Sequence, residues 1–202
     1  GFDPYSSSKG CAELVTSAYR QSFLTPAGIG LASARAGNVI GGGDWATDRL
    51  IPDFLRAMDA GETLEIRSPL STRPWQHVLE PLSGYMMLAE QLYTNSASYS
   101  EAWNFGPKDE DAQPVRWIVE RMAEMCKDVN WGCDETLQFH EANYLKLDSS
   151  KAYNQLNWQP RWKLKNALQK TLEWHEAWRK LADMRLVTLT QISDYQATRQ
   201  ND

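Results

Sequence analysis

Gly30-Leu31-Ala32-Ser33-Ala34-Arg35-Ala36-Gly37-Asn38-Val39-Ile40-Gly41-Gly42-Gly43-Asp44 is the stretch whose reading decides the fold. Residues 30–39 read as a strand, and its small residues Ala32, Ala34, Ala36 and Gly37 stand where another element must approach closely. Three glycines and an aspartate then force a loop. A strand that ends in Asn38 and opens into glycines presents an amide and backbone N–H groups at its carboxyl end. In α/β folds that edge is where ligands bind, and such donors suit phosphate oxygens. A tight turn whose glycines serve only backbone geometry would look the same, so neighbouring segments must decide.

Working outward, Asp3 and Pro4 suit a helix cap and first turn, and Ala12, Val15, Ala18, Tyr19 and Phe23 follow at helical spacing. Thr25-Pro26-Ala27-Gly28 breaks this helix ahead of the strand. On the other side, helices are expected over 50–60 (Ile51, Phe54, Leu55 and Met58 inward) and over 81–93 (Leu82, Tyr85, Met86 and Ala89 inward). Further helices are expected over 115–126, 149–156 and 164–181, the last packing through Leu168, Leu172, Trp174 and Trp178. Strands are expected over 63–67, 75–78 and 102–105, with short candidates at 137–139 and 144–147. The tail after Met184 has weak periodicity and receives no assignment. Alternating strands and helices give an α/β protein with a partly parallel sheet.

Bulk properties narrow the function. A length of 202 residues suffices for one domain or two small lobes. A net charge of -5, without a run of Lys and Arg, argues against nucleic acid as a partner. The three cysteines make no disulfide framework and point to a reducing, cytoplasmic setting. Cys126 and Cys133 lack zinc-ligand spacing and the three histidines are scattered, so no metal site is expected. No apolar run approaches the roughly 20 residues that span a bilayer, which speaks against a membrane protein.

Four constellations carry chemistry. Tyr5 and Lys9 lie one helical turn apart, where the lysine's charge favours a phenolate able to take a proton from an alcohol. Solvated surface pairs share this spacing. The second constellation is the strand and loop already described. The third is Arg73-Pro74-Trp75-Gln76-His77-Val78, with an arginine placed to clamp a phosphate and His77 read as structural. Arg49 and Arg67 are further cations nearby. The fourth is Trp103-Asn104-Phe105-Gly106-Pro107, a strand that ends with an amide side chain.

Taken in order, Tyr5-x-x-x-Lys9, Arg35-Ala36-Gly37-Asn38-Val39-x-Gly41, Arg73-x-Trp75-x-x-Val78 and Asn104-Phe105-Gly106 resemble the extended short-chain dehydrogenase/reductases that modify nucleotide sugars. The longer strings 35–45, 49–53, 73–84 and 144–151 are similar to the CDP-glucose 4,6-dehydratases of that family. The resemblance implies the C-terminal part of an NAD-binding Rossmann-like domain (residues 1–40 and 75–106). It also implies a smaller mixed α/β lobe (41–74 and 107–202) that binds the nucleotide sugar. Tyr5 is the implied catalytic base and Lys9 its ribose-binding partner. Ala36, Asn38 and Val39 join them on the cofactor side, while Asn38, Arg49, Leu50, Arg67, Arg73, Asn104 and Tyr144 face the substrate, CDP-glucose. Relatives acting on thymidine diphosphate sugars carry arginines before the late Asp-x-x-Lys segment. Here that position reads His140-Glu141-Ala142-Asn143-Tyr144, which implies a different phosphate or base contact.

The family's glycine-rich NAD loop and the elimination acid and base would stand before Tyr5. The chain is therefore expected to be a carboxyl-terminal portion that does not turn over CDP-glucose alone, and a homodimer is expected of the full-length enzyme. A related nucleotide-sugar epimerase, or a lobe that binds sugar nucleotides without catalysis, are the competing readings.

Overall fold

The structure is a computed structural model and describes residues 3–126, 129–133 and 144–198. In chain order the elements begin with helix α1 (Pro4–Tyr19), which continues through a π turn (Arg20–Leu24) into strands β1 (Ser33–Ala36) and β2 (Asn38–Ile40). Helix α2 (Leu50–Ala60), β3 (Leu64–Ile66), β4 (Thr72–His77), α3 (Leu79–Thr94), the single turn α4 (Ser96–Tyr99) and β5 (Ala102–Phe105) follow. A 3-10 turn (Asp109–Asp111) then leads to β6 (Ala112–Pro114), α5 (Val115–Met125) and β7 (Trp131–Cys133). The chain ends in α6 (Ser150–Leu156), α7 (Leu164–Arg179) and α8 (Met184–Ala197).

The expected strand over 30–39 is two strands with different partners. β1 runs parallel to β5, pairing Ser33 with Ala102 and Ala36 with Phe105. β2 runs parallel to β4, pairing Asn38 with Trp75 and Ile40 with His77, and β4 also carries β6 antiparallel. The exchange falls at Gly37, where a Cβ would overlap the Pro74 carbonyl oxygen; only glycine admits this approach. Gln76 ties the two regions, its side-chain amide donating to the Phe105 carbonyl at 2.6 Å. β3 pairs parallel with β7.

Two apolar clusters follow this division. Leu88, Trp103, Phe105, Ala152, Leu156 and Trp158 pack α3 and α6 around β5. A larger cluster gathers Phe54, Leu55, Ile66, Trp75, Ile118, Met122, Leu164 and Leu168 from α2, β3, β4, α5 and α7. Several expectations about faces need correction. On α3 the buried side chains are Glu80, Pro81, Gly84 and Leu88; Leu82, Met86 and Ala89 point outward. The apolar residues there follow helical spacing, but the packed stripe is set by Gly84, where a Cβ would overlap the Phe105 ring. On α7, Leu168 and Leu172 are buried as expected, whereas Trp178 remains exposed and His175 fills the core beside it.

The unassigned tail is α8. Asp183 caps it through the N–H groups of Arg185 and Leu186, but it buries only Gln191 and Tyr195. The short strands β6 and β7 also went unread. Residues 144–147 form a single parallel bridge, Thr72 to Tyr144, instead of a strand, and 137–139 lie outside the described residues. No described helix is long and apolar enough to cross a membrane.

Candidate active site

Asp3 accepts the Ser6 N–H at 2.8 Å and fixes where α1 begins. The helix is then laid along β1 by polar contacts. Glu13 accepts from the Ser33 hydroxyl at 2.8 Å and lies 3.7 Å from Arg35, while Arg20 donates to the Leu31 carbonyl at 2.9 Å. Contacts that advance along the helix thus retreat along the strand, so the two run antiparallel. Tyr5 precedes Glu13 by about 12 Å of helix, at 1.5 Å per residue. That length equals nearly four strand residues at ~3.3 Å each. On this estimate Tyr5 falls roughly level with the carboxyl end of β1. Lys9 Nζ sits 5.4 Å from the centre of the Tyr5 ring, and both side chains are exposed.

Beside that end lies a cavity of about 490 Å³. Asn38 and Val39 from β2, Arg49 and Leu50 from the start of α2, and Arg73 from β4 all line it. Asp44, Asp48, Pro52, Trp75 and Val115 are among the other residues of its wall. Five of the sequence-predicted residues, scattered over β2, α2 and β4, thus meet in one place. The remaining expected residues stand apart from its lining. Ala36 precedes the Gly37 switch and pairs with Phe105. Arg67 sits near the cavity through its 2.9 Å ion pair with Asp48. Asn104 lies opposite Arg35 in the β1–β5 register; its amide nitrogen donates to the Asp148 carbonyl at 3.0 Å while its buried Oδ1 has no partner. Tyr144 bridges to Thr72, the neighbour of Arg73.

The glycine loop is secured from behind. The Trp174 ring packs so close to Gly42 that a Cβ there would overlap it. The Trp45 ring packs tilted at 4.6 Å from that of Trp178 and 5.9 Å from that of His175, and His175 in turn bonds Asp59 of α2 at 2.8 Å. This aromatic backing holds in position the loop carrying Asp44. Asp44, Asp48 and Val115 are wall residues that the sequence reading did not select as site residues. Acids in an exposed loop and a helix-start valine give no local sign of facing a cavity.

His77, expected to be a satisfied structural histidine, is only partly satisfied: its buried Nε2 has no hydrogen-bond partner among the described residues. It is buried, its ring lies 4.9 Å from that of Trp162, and its Nδ1 accepts the Leu79 N–H at 3.3 Å. Burial, and secondarily the Lys170 charge, push its pKa down to about 4, so the ring is neutral in the fold. Among the described residues no group of three or more His, Cys, Asp or Glu side chains could hold a metal ion.

The parallel strand pairs β1–β5 and β2–β4, packed with helices, form part of a Rossmann-type fold, the fold of nucleotide-sugar dehydratases and epimerases. Solved structures share it. The dTDP-glucose 4,6-dehydratase of Bacillus anthracis in complex with NAD superimposes with a TM-score of 0.66 at 22% identity, over 86% of this chain and 52% of that one. The UDP-glucuronic acid 4-epimerase of Bacillus cereus, in complex with UDP-glucuronic acid and NAD, gives 0.70 at 18% identity over 86% and 52%.

The chain belongs to the GDP-mannose 4,6 dehydratase family, whose model matches residues 2–171. It is 57% identical over 201 residues to the CDP-glucose 4,6-dehydratase of Salmonella typhimurium, covering 96% of this chain and 56% of that protein. The chain thus spans about half the length of this relative.

Proposed function

We propose that this chain supplies the catalytic base and the nucleotide-sugar cleft of a CDP-glucose 4,6-dehydratase, which converts CDP-glucose to CDP-4-keto-6-deoxy-D-glucose and water. The observation that carries the reading is the meeting of Asn38, Arg49, Leu50 and Arg73 in one cavity. The 57% identity to the Salmonella enzyme supports the cytidine nucleotide as substrate class.

In this reading the guanidinium of Arg73 and the amide of Asn38 hold the diphosphate, with Arg49 adding charge at the start of α2. Leu50 offers an apolar contact on the same wall. Arg67, Asn104 and Tyr144 are proposed on the substrate side. With the sugar so anchored, the Tyr5 phenolate takes the proton of the 4-hydroxyl, and the Lys9 ammonium stabilises the phenolate. Once the C4 hydride has also passed to the bound cofactor, the resulting 4-ketone would acidify the C5 proton and allow water to leave across C5 and C6.

The residues present fit the ribose–nicotinamide end of NAD. Tyr5 and Lys9 are exposed together on α1, and Val39 presents an exposed apolar side chain beside Asn38. Bound there, NAD would accept the hydride from C4 and return it to C6. Ala36, Asn38 and Val39 would line that end. The same reading takes the complete enzyme to be a cytoplasmic homodimer; the three cysteines, all free thiols, are consistent with a reducing setting.

Isothermal titration of the chain with CDP tests the cleft directly. CDP is expected to bind, and Arg73→Ala to weaken it by at least tenfold, the loss expected for a charge-assisted phosphate contact. Absence of CDP binding, or equal affinity in the Arg73 variant, would count against the assignment.

A further inference from the structure

Arg49 in the cavity wall and Arg67 beside the cavity are already paired with the chain's own carboxylates. Arg49 Nη1 lies 3.2 Å from Asp44 Oδ2, and Arg67 Nη2 lies 2.9 Å from Asp48 Oδ1. Both aspartates line the cavity, yet they are built in differently. Asp44 uses its other oxygen to accept the Ala46 N–H at 3.1 Å, which fixes the turn after the glycines. Asp48 has no such backbone duty. Its side chain is 71% exposed, and Arg67 is its ion-pair partner. Its backbone sits at φ 59°, in the left-handed region that Asn and Asp enter more readily than other side chains.

A carboxylate in the wall of a cleft for a diphosphate opposes the ligand's own charge and competes with it for the arginine. We infer that Asp48 is a resident counter-ion, which holds Arg67 at the cavity and gives it up to the negative charge of an incoming nucleotide diphosphate. The inference rests on the nucleotide-diphosphate reading of this cavity. Asp48 is a positioning residue in this scheme, because it acts through Arg67. Entry of ligand exchanges one anionic partner of Arg67 for another. A ligand without charge does not compete for Arg67, so Asp48 lowers the affinity for charged nucleotides and leaves that for uncharged nucleosides unchanged. The exposure of the pair keeps the exchange inexpensive, since surface ion pairs contribute little.

The test uses the chain with Asp48→Asn, a change that removes the charge while keeping a residue suited to the left-handed backbone. CDP and cytidine are titrated calorimetrically at low salt, where exposed charges are least screened. The expected result is CDP binding about two- to fivefold tighter than wild type, the range an exposed pair supports, with cytidine affinity unchanged. In an Arg67→Ala background the gain should vanish, which a double-mutant cycle reads directly. A merely structural Asp48 would instead weaken both ligands in the Asn variant, and that result overturns the inference. So does a gain that persists in full without Arg67. If the wild-type chain binds no CDP at all, the reading of the cavity fails first and the inference goes with it.

Discussion

Tyr195 donates its hydroxyl to Glu80 Oε2 at 2.7 Å, tying the last helix to the first turn of α3 across more than half the chain. Glu80 is fully buried and also accepts the N–H groups of Arg161 at 3.0 Å and Trp162 at 2.7 Å. Burial raises its pKa, against the lowering effect of these donors. The stability it contributes is therefore present below about pH 4.5, its unfolded value, and declines as pH rises through the higher folded value. Tyr195→Phe removes one donor to the carboxylate and leaves the ionised form less satisfied. The variant is expected to lose about 1–2 kcal/mol at neutral pH and less near pH 4, where Glu80 is protonated. Urea unfolding at both values checks this; an equal loss at the two would contradict it.

His77 gives the opposite slope. Its folded pKa of about 4 lies below the unfolded 6.5, so the unfolded chain binds the extra proton between these values. Stability is present in full above pH 6.5 and falls as pH drops toward 4. The shift corresponds to roughly 3 kcal/mol. His77→Phe keeps a ring against Trp162 and removes the proton site. The difference in unfolding free energy between variant and wild type should therefore change with pH across that window and stay flat above it. A constant difference over the whole range would show that His77 does not carry this acid sensitivity.

Two glycines separate steric need from helix propensity. At Gly37 a Cβ would overlap the Pro74 backbone oxygen, and neither strand can move without breaking the β2–β4 ladder. Gly37→Ala is expected to cost at least about 2 kcal/mol, as overpacking against backbone does, and to weaken CDP binding by shifting Asn38. Gly10, inside α1, has nothing within 4 Å of a built Cβ. Gly10→Ala is expected to raise stability by up to about 1 kcal/mol through helix propensity alone. Thermal unfolding of the pair, run side by side, gives opposite signs if this account holds.

The parts of the molecule that read clearly from sequence are those in which local chemistry and tertiary role agree. β5 and α2 stand where apolar spacing placed them, and the glycine loop marks the cavity because its conformation demands glycine. α8 was silent because its hold on the fold is polar: Tyr195 on Glu80, Arg161 on the 195 and 196 carbonyls, and Lys170 on Asp194. Periodicity cannot register such contacts. The face of α3 misled for the converse reason. Leu82 and Met86 are apolar yet outward, and charged Glu80 is buried because three donors from distant segments meet it. Asp48 is one exposed acid among many until the cavity shows what it faces.

The proposed base is tested by Tyr5→Phe. Tyr5 sits on an exposed helix and is absent from the cavity lining, so removing its hydroxyl leaves the nucleotide contacts of Asn38, Arg49 and Arg73 intact. CDP affinity of the variant chain should match wild type within error. Turnover is read in a chimera, with the amino-terminal half of the Salmonella relative joined ahead of Phe2 and NAD supplied. There Tyr5→Phe should lower ketone formation from CDP-glucose by about 10²–10⁴-fold, the usual span for a general base. Lys9→Met should lower it too, without touching CDP binding, because Lys9 is likewise absent from the cavity lining. A chimera whose Tyr5→Phe variant turns over at the wild-type rate would move the base elsewhere. Equal loss of CDP affinity and turnover would make Tyr5 a binding residue instead.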